Sequence, residues 1–248
     1  MERYANLNRE GNRKEFEGSA SISLISSQTT LEGPTYKGNG AWMFSGRRTY
    51  IDKFAELLEL EIPYYFYDLQ GHIFSDLSKK DRINLSFYSG QDDLTWPDFG
   101  LNIYWGNETI SSKYRRLFSE QLIGNLMLAS SKFYTVSSIG GNSGSQSNNF
   151  IKDQTFSANF QYFINDIYTI KFGTQIKKMH INYYETFNDS VVFEFNQEPL
   201  DISTYTKLKW ITLGEKLIIE PGFRFNYYNK MSKTYYPEFR LGLKVVIS

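Results

Sequence analysis

The sequence contains no cysteine, which excludes disulfides, zinc–thiolate sites and cysteine nucleophiles. It has no excess of charge either, since 27 lysines and arginines balance 27 aspartates and glutamates. We therefore expect no nucleic-acid partner, because no surplus of basic side chains is available to neutralise phosphates. Long hydrophobic runs are also missing. No stretch approaches the roughly 18 consecutive apolar residues of a transmembrane helix, so the sequence predicts none.

Aromatic residues are plentiful instead: 19 Tyr, 20 Phe and 4 Trp make up 17% of the chain. Such residues favour strands and the boundary between a membrane and water. A strand that crosses a membrane needs only about 9–11 residues with one apolar face. The composition is therefore compatible with a membrane protein built from strands.

Apolar and polar residues alternate with a period of two along most of the chain, which predicts strands with one apolar and one polar face. The clearest stretch is 239–247, where the apolar positions are Phe239, Leu241, Leu243, Val245 and Ile247. We predict about twelve strands, near residues 16–26, 28–34, 40–50, 64–74, 81–90, 101–117, 121–135, 151–163, 167–183, 200–212, 216–228 and 234–247.

The connections between these strands alternate in length. Short polar turns fall at 75–80, 118–120, 164–166 and 213–215, and longer connections at 51–63, 91–100, 136–150 and 184–199. Such sorting is typical of bacterial outer-membrane barrels, whereas both ends of a soluble sandwich face water. The predicted fold class is all-β, a transmembrane antiparallel up-and-down β-barrel. We expect short periplasmic turns and long extracellular loops, and closure that is either incomplete or that of a small barrel.

Two of the longer connections have a character of their own. Residues 52–61 carry Phe54, Leu57 and Leu58 at helical spacing before Pro63, which predicts a short helix. Residues 137–149 consist of Ser, Gly, Asn and Gln around one Ile, a composition that predicts a mobile loop.

Residues able to support catalysis are few, and we expect neither an enzyme nor a cofactor. His72 and His180 fall on separate predicted strands, and no serine stands in a recognisable nucleophile setting beside either. Asp92, Asp93 and Asp98 share one connection, where a solvated acidic loop is the favoured interpretation and a calcium site the alternative. We predict no catalytic, cofactor or metal residues.

The polar faces of the strands predict which side chains point into a barrel lumen. Basic residues near the middle of a lipid-facing surface cost about 2–4 kcal/mol each, so charged positions are expected to face inward. Arg47 and Arg48 are sequence neighbours and therefore point to opposite sides. The lumen-facing candidates are Arg82, Asn84, Lys171, Gln175, Glu220, Arg224, Glu238, Arg240 and Lys244.

A series of short motifs resembles the TonB-dependent receptors of Bacteroidetes, in order and over most of the chain. The signature residues are Glu32, Gly33 and Pro34, followed by Arg47, Arg48, Thr49 and Tyr50. The resemblance extends through 10–12, 16–18, 24–27, 65–69, 85–93, 105–107 and 169–173.

The resemblance implies a barrel of about 22 strands that is closed by an N-terminal plug. It implies uptake of a large or scarce nutrient such as a siderophore, vitamin or glycan, with energy supplied through the TonB complex. The expected location is the bacterial outer membrane. The expected partners are the lipid bilayer and lipopolysaccharide, the plug, the TonB complex and a nutrient ligand.

The chain departs from that pattern, because we find no signal peptide, TonB box or plug, and only about twelve strands. We expect residues 1–15 to be a linker that follows the plug and residues 16–248 to be a partial barrel. Three alternatives stay open: a self-contained small pore or translocator, an outer-membrane lipase, and a soluble all-β binding protein.

Overall fold

A computed structural model describes residues 10–53, 63–140, 143–214, 216–231 and 234–245. Strands dominate these residues, because apolar and polar side chains alternate along much of the chain. The strands are β1 (Glu17–Ile22), β2 (Ser26–Pro34), β3 (Gly40–Thr49), β4 (Tyr64–Asp76), β5 (Asp81–Trp96), β6 (Leu101–Leu117), β7 (Leu122–Ile139), β8 (Ser145–Phe163), β9 (Tyr168–Phe187), β10 (Ser190–Gln197), β11 (Leu200–Thr212), β12 (Leu217–Tyr228) and β13 (Tyr235–Val245).

Twelve of these strands form one antiparallel up-and-down sheet in sequence order, β1 to β9 and then β11 to β13. The predicted fold class is confirmed. β10 is an additional strand that pairs with the outer half of β9. It lies within the connection predicted at 184–199, where the run Val191–Phe195 has the β-branched and aromatic composition of a strand.

The two ends of the wall differ. We call the end with the connections at 77–80, 118–121, 164–167 and 213–216 the turn end, and the opposite end the hairpin end.

No helix in the described part of the chain has the length and hydropathy of a membrane crossing. The helix predicted at 52–61 begins in the structure, where residues 51–53 are helical, and the rest of it lies outside the described residues.

At the hairpin end the strands run further than predicted. β5 continues to Trp96, because residues 91–96 pair with β4, β6 or both, and only a 3₁₀ turn at Pro97–Phe99 separates it from β6. The predicted mobile loop at 137–149 was wrong for most of its length. Its described residues belong mainly to β7 and β8, whose ladder runs out to Ile139 opposite Ser145. Backbone pairing requires no apolar side chains, so a Ser- and Asn-rich hairpin can extend a ladder.

The outer edges of β1 and β13 have no strand partner among the described residues. The wall is also one layer thick, and few of its apolar residues are buried, chiefly Ala41, Phe74 and Ala158. An apolar sheet face needs a cover, and an unpaired edge needs a partner. The described strands therefore form an open sheet, one layer thick.

Candidate functional site

Directly opposed residues of neighbouring strands share a face of the sheet. Followed from strand to strand, this rule assigns one face to polar side chains and the other to apolar ones. The register places all nine lumen-facing candidates on the polar face: Arg82, Asn84, Lys171, Gln175, Glu220, Arg224, Glu238, Arg240 and Lys244.

At the turn end of the polar face, two arginines enclose one buried ring. Phe74 is 1% exposed, and the guanidinium carbons of Arg13 and Arg82 lie 4.5 and 4.9 Å from its centroid. Both arginines donate to Asp76: Arg82 Nε at 2.6 Å from Oδ1, and Arg13 Nη1 at 2.8 Å from Oδ2. Arg82 Nη1 also lies 3.3 Å from Glu10 Oε1. A carboxylate between two stacked guanidiniums compensates charges that would otherwise repel.

Glu10 and Arg13 belong to the segment before β1, which therefore crosses the polar face rather than the apolar one. Gly11 marks the close approach: its φ is +91°, and a Cβ there would stand 2.8 Å from the carbonyl oxygen of Trp42. Only glycine adopts this conformation freely and admits such proximity to backbone. The segment thus reaches β1 from the polar side, at the turn end.

A hydrogen-bonded chain connects β11, β12 and β13 on the same face. Arg224 donates from Nη2 to Ser203 Oγ at 2.9 Å and from Nε to Asn226 Oδ1 at 2.8 Å. Asn226 Nδ2 donates to Glu238 Oε1 at 3.0 Å, and Arg240 pairs with Glu238 at 2.5 Å. Beside this chain, Lys207 Nζ lies 2.9 Å from Glu220 Oε2. The charges on this part of the polar face are therefore paired across three neighbouring strands.

Near the hairpin end, charged and aromatic groups of β3, β4 and β5 meet on the polar face. Arg47 Nη2 lies 2.6 Å from Asp68 Oδ2, and its guanidinium carbon is 4.8 Å from the Phe66 centroid. The Tyr64 hydroxyl donates to Asp92 Oδ1 at 2.5 Å. We call Arg47, Tyr64, Phe66, Asp68 and Asp92 the rim cluster. It offers rings, a cation and carboxylates on one surface.

The signature residues have mixed surroundings. Glu32 is 4% exposed on the polar face, and Thr49 Oγ1 accepts from Phe66 N at 2.8 Å. The Tyr50 hydroxyl donates to the carbonyl oxygen of Ser23. Arg48 points away from Arg47, to the apolar side, with its guanidinium carbon 5.3 Å from the Tyr65 centroid. Gly33 and Pro34 end β2.

The histidines and the acidic residues singled out from the sequence are not brought together. His72 lies on the polar face, with Nδ1 2.8 Å from Ser86 Oγ, whereas His180 lies on the apolar face against the Phe150 ring. Asp92 and Asp93 are strand neighbours and point to opposite faces. The described residues contain no group of three or more His, Asp or Glu able to hold a metal ion.

Sequence reasoning missed Phe74, Asp76 and Arg13, because nothing in the chain indicates that residues 63 positions apart form an ion pair. It also missed Ser86 beside His72. At the hairpin end, it missed the cluster around Glu198, a residue of the connection before β11. Lys178 Nζ lies 3.2 Å from Glu198 Oε2 and lowers the pKa of that carboxyl.

Solved structures with this architecture include several siderophore receptors. The siderophore receptor PirA from Acinetobacter baumannii matches with a TM-score of 0.70 at 12% identity, over 97% of this chain and 42% of that receptor. The pyoverdine outer membrane receptor FpvA from Pseudomonas aeruginosa matches with a TM-score of 0.69 at 12% identity, over 92% and 43%. The fold is that of a receptor barrel wall.

A third structure, the ferric yersiniabactin uptake receptor FyuA from Yersinia pestis, has a TM-score of 0.61 at 10% identity, over 92% of this chain and 41% of that receptor. The chain thus spans about two fifths of the length of these receptors. No protein-family model matches the sequence, and no curated protein matches it.

Proposed function

We propose that this chain forms part of the wall of a TonB-dependent receptor in a bacterial outer membrane, of the type found in Bacteroidetes. The observation that carries the proposal is the two-faced wall of twelve antiparallel strands. This wall matches two siderophore receptors over 97% and 92% of its own length and about two fifths of theirs. The apolar face meets lipid, and the polar face lines the lumen with the nine candidates as its polar surface.

The path of residues 10–13 supports the assignment of residues 1–15 as a linker from a plug. A plug occupies the lumen, so a chain leaving it reaches the first strand from the polar side. Arg13 contacts Asp76 and Glu10 contacts Arg82, and both contacts lie on the polar face. They lie at the turn end, which this proposal assigns to the periplasm. The strands from 16 onward then form the partial barrel.

The ligand of such a receptor is a nutrient too large or too scarce for passive pores, such as a siderophore, a vitamin or a glycan. The rim cluster supports this assignment, because rings stack on flat or sugar-like surfaces while Arg47 and the carboxylates supply polar contacts. We propose the rim cluster as a nutrient contact, with lipopolysaccharide and the bilayer as partners of the opposite face. Catalysis has no role in this proposal.

The test is uptake by cells that lack this chain and by the same cells complemented with it. Three labelled substrates represent the classes: a ferric siderophore, a corrinoid and an oligosaccharide. We expect the deletion to abolish saturable uptake of one class and complementation to restore it, with loss again when a protonophore collapses the proton gradient. Uptake that survives the protonophore indicates a passive pore. Unchanged uptake of all three contradicts the receptor proposal.

A further inference from the structure

β10 stands beside the outer part of β9, where β11 no longer reaches. The β9–β10 hairpin turns at Asn188 and Asp189, whose positive φ values of 47° and 58° suit the type I′ turn of a tight hairpin. β11 pairs with β9 as far as Lys178, and β10 pairs with it from Ile181 outward. A defined turn and a ladder thus fix β10 as a strand at the hairpin end.

The outer edge of β10 meets no strand among the described residues. β12 is the next strand beyond β11, and their ladder ends at Tyr228 opposite Asp201, at the start of β11. Natural sheets block free edges with lysine, proline or bulges. β10 has a bulge between Val191 and Phe193, but neither lysine nor proline, and its pairing over residues 193–197 is regular. The backbone groups of alternate residues there point outward, available to another strand.

The side chains along this edge alternate between apolar and acidic. Phe193 and Phe195 are 51% and 42% exposed. Their partners in β9 lie on the polar face, so both rings point to that side, and the Phe193 and Tyr183 rings meet edge-on with centroids 5.2 Å apart. Glu194 lies between the two phenylalanines and points to the opposite side. The edge therefore presents an apolar, an acidic and an apolar side chain in turn.

The charge around this edge is negative. Glu185, Asp189 and Glu194 form no ion pair within the described part of the chain. Lys178 pairs with Glu198 instead. A second copy of the chain carries the same carboxylates and is repelled by them, whereas a basic segment is attracted. Charge complementarity therefore favours a basic partner over a second copy.

A strand added to this edge has to match its alternation. Side chains that stand directly opposite each other share a face, and opposite charges stabilise the pair while like charges destabilise it. The added strand therefore needs apolar side chains opposite Phe193 and Phe195 and a basic side chain opposite Glu194. In such strand addition, main-chain hydrogen bonds supply affinity and the alternate side chains supply specificity.

We propose that β10 is a docking edge for an extended segment of another protein, in which apolar and basic residues alternate. The segment joins the outer edge of β10 as a further strand, with a basic side chain opposite Glu194. The inference goes beyond the proposed function, because this partner is a protein segment outside the transport path. The proposed function decides only that the partner approaches from outside the cell.

The test titrates a fluorescent peptide against the full chain folded in nonionic detergent micelles, with anisotropy as the readout. The probe is a short peptide of alternating valine and lysine. The comparison peptides are alternating valine and glutamate, the probe composition arranged in two blocks, and the probe with alternate amides N-methylated, which cannot extend a ladder. We expect the alternating basic peptide with free amides to bind most tightly.

Variants of β10 assign the binding to this edge. E194K is expected to weaken binding of the basic probe about tenfold and to strengthen binding of the valine–glutamate peptide, since it reverses the cross-strand charge. F193S/F195S removes the apolar contacts and is expected to weaken the probe about fivefold or more. The matched control is E120K, the same change at an exposed residue of the turn end, with wild-type affinity expected. Circular dichroism and heat-modifiable migration confirm that each variant is folded.

Hydrogen exchange followed by mass spectrometry locates the bound peptide. We expect slower exchange in residues 190–197 and no change in β1 or β13, whose outer edges also lack a strand partner among the described residues. Protection confined to β1 or β13, equal binding of the N-methylated probe, or equal loss in E194K and E120K overturns the proposal. A wild-type dimer that F193S/F195S dissociates also overturns it, because the edge then belongs to a second copy.

Discussion

At the scale of single residues, the polar face is organised by compensated charge. Asp76 holds Arg13 and Arg82 around the buried Phe74 ring, and Glu238 holds Arg240 while accepting from Asn226. Alternation in the sequence predicted which face Arg82 and Glu238 share. It did not predict their partners, because those depend on strand register and on the path of the segment before β1.

Replacing Asp76 with Asn tests this organisation. The change leaves two guanidiniums on Phe74 without their carboxylate, so we expect the free energy of unfolding to fall by about 1–2 kcal/mol. This figure is already reduced because the side chains of Arg13 and Asp76 are partly exposed to solvent. Urea unfolding in micelles, followed by tryptophan fluorescence, measures it. D189N is the matched control, since Asp189 is an exposed turn residue with φ of 58° that Asn tolerates. Equal stability of D76N and D189N contradicts the role given to Asp76.

At the scale of strands, periodicity predicted the order of the strands and the face on which each side chain lies. It did not predict the full length of the strands. Residues 91–96 and 137–139 carry polar side chains and turn-forming types, which favour loops when read alone. In the structure they continue ladders that neighbouring strands have already begun. β10 was not predicted, because its eight residues were assigned to the long connection at 184–199, although Val191–Phe195 has the composition of a strand.

Opposite faces of one strand are expected to respond differently to the same added charge. Ile110 and Thr109 are adjacent exposed residues of β6 on the apolar and polar face, respectively. We expect I110R to lower the free energy of unfolding in lipid bilayers by about 2 kcal/mol, because arginine in the apolar band is costly. T109R is expected to change it by less than about 0.5 kcal/mol. Folding titrations in vesicles compare the two, and equal losses contradict the face assignment.

At the scale of the whole molecule, the described wall is open, and its similarity covers about two fifths of each receptor it resembles. An open wall exposes the edges of β1 and β13, and unpaired strand edges are costly in a bilayer. A closed small barrel, the alternative considered from the sequence, requires a ladder between β1 and β13. Nothing in the sequence decided between an open wall and a closed barrel.

Paired cysteines test this openness directly, since the chain has no cysteine of its own. We expect S19C/T30C to form a disulfide, because those residues oppose each other in β1 and β2. S19C combined in turn with E238C, R240C or G242C, which share the polar face with Ser19, is expected to form none within one chain. Non-reducing gel migration of protein from outer membranes reports both results. Efficient cross-linking between β1 and β13 indicates a self-contained barrel.

The central claim is that one face of this wall meets lipid and the other an aqueous lumen. The most direct measurement is labelling of single cysteines along β9 with a membrane-impermeant maleimide, in intact outer membranes. We predict that Q175C and K177C, on the polar face, are labelled, whereas T174C and I176C, on the apolar face, are protected. Equal labelling of all four positions, or the reverse alternation, contradicts the account.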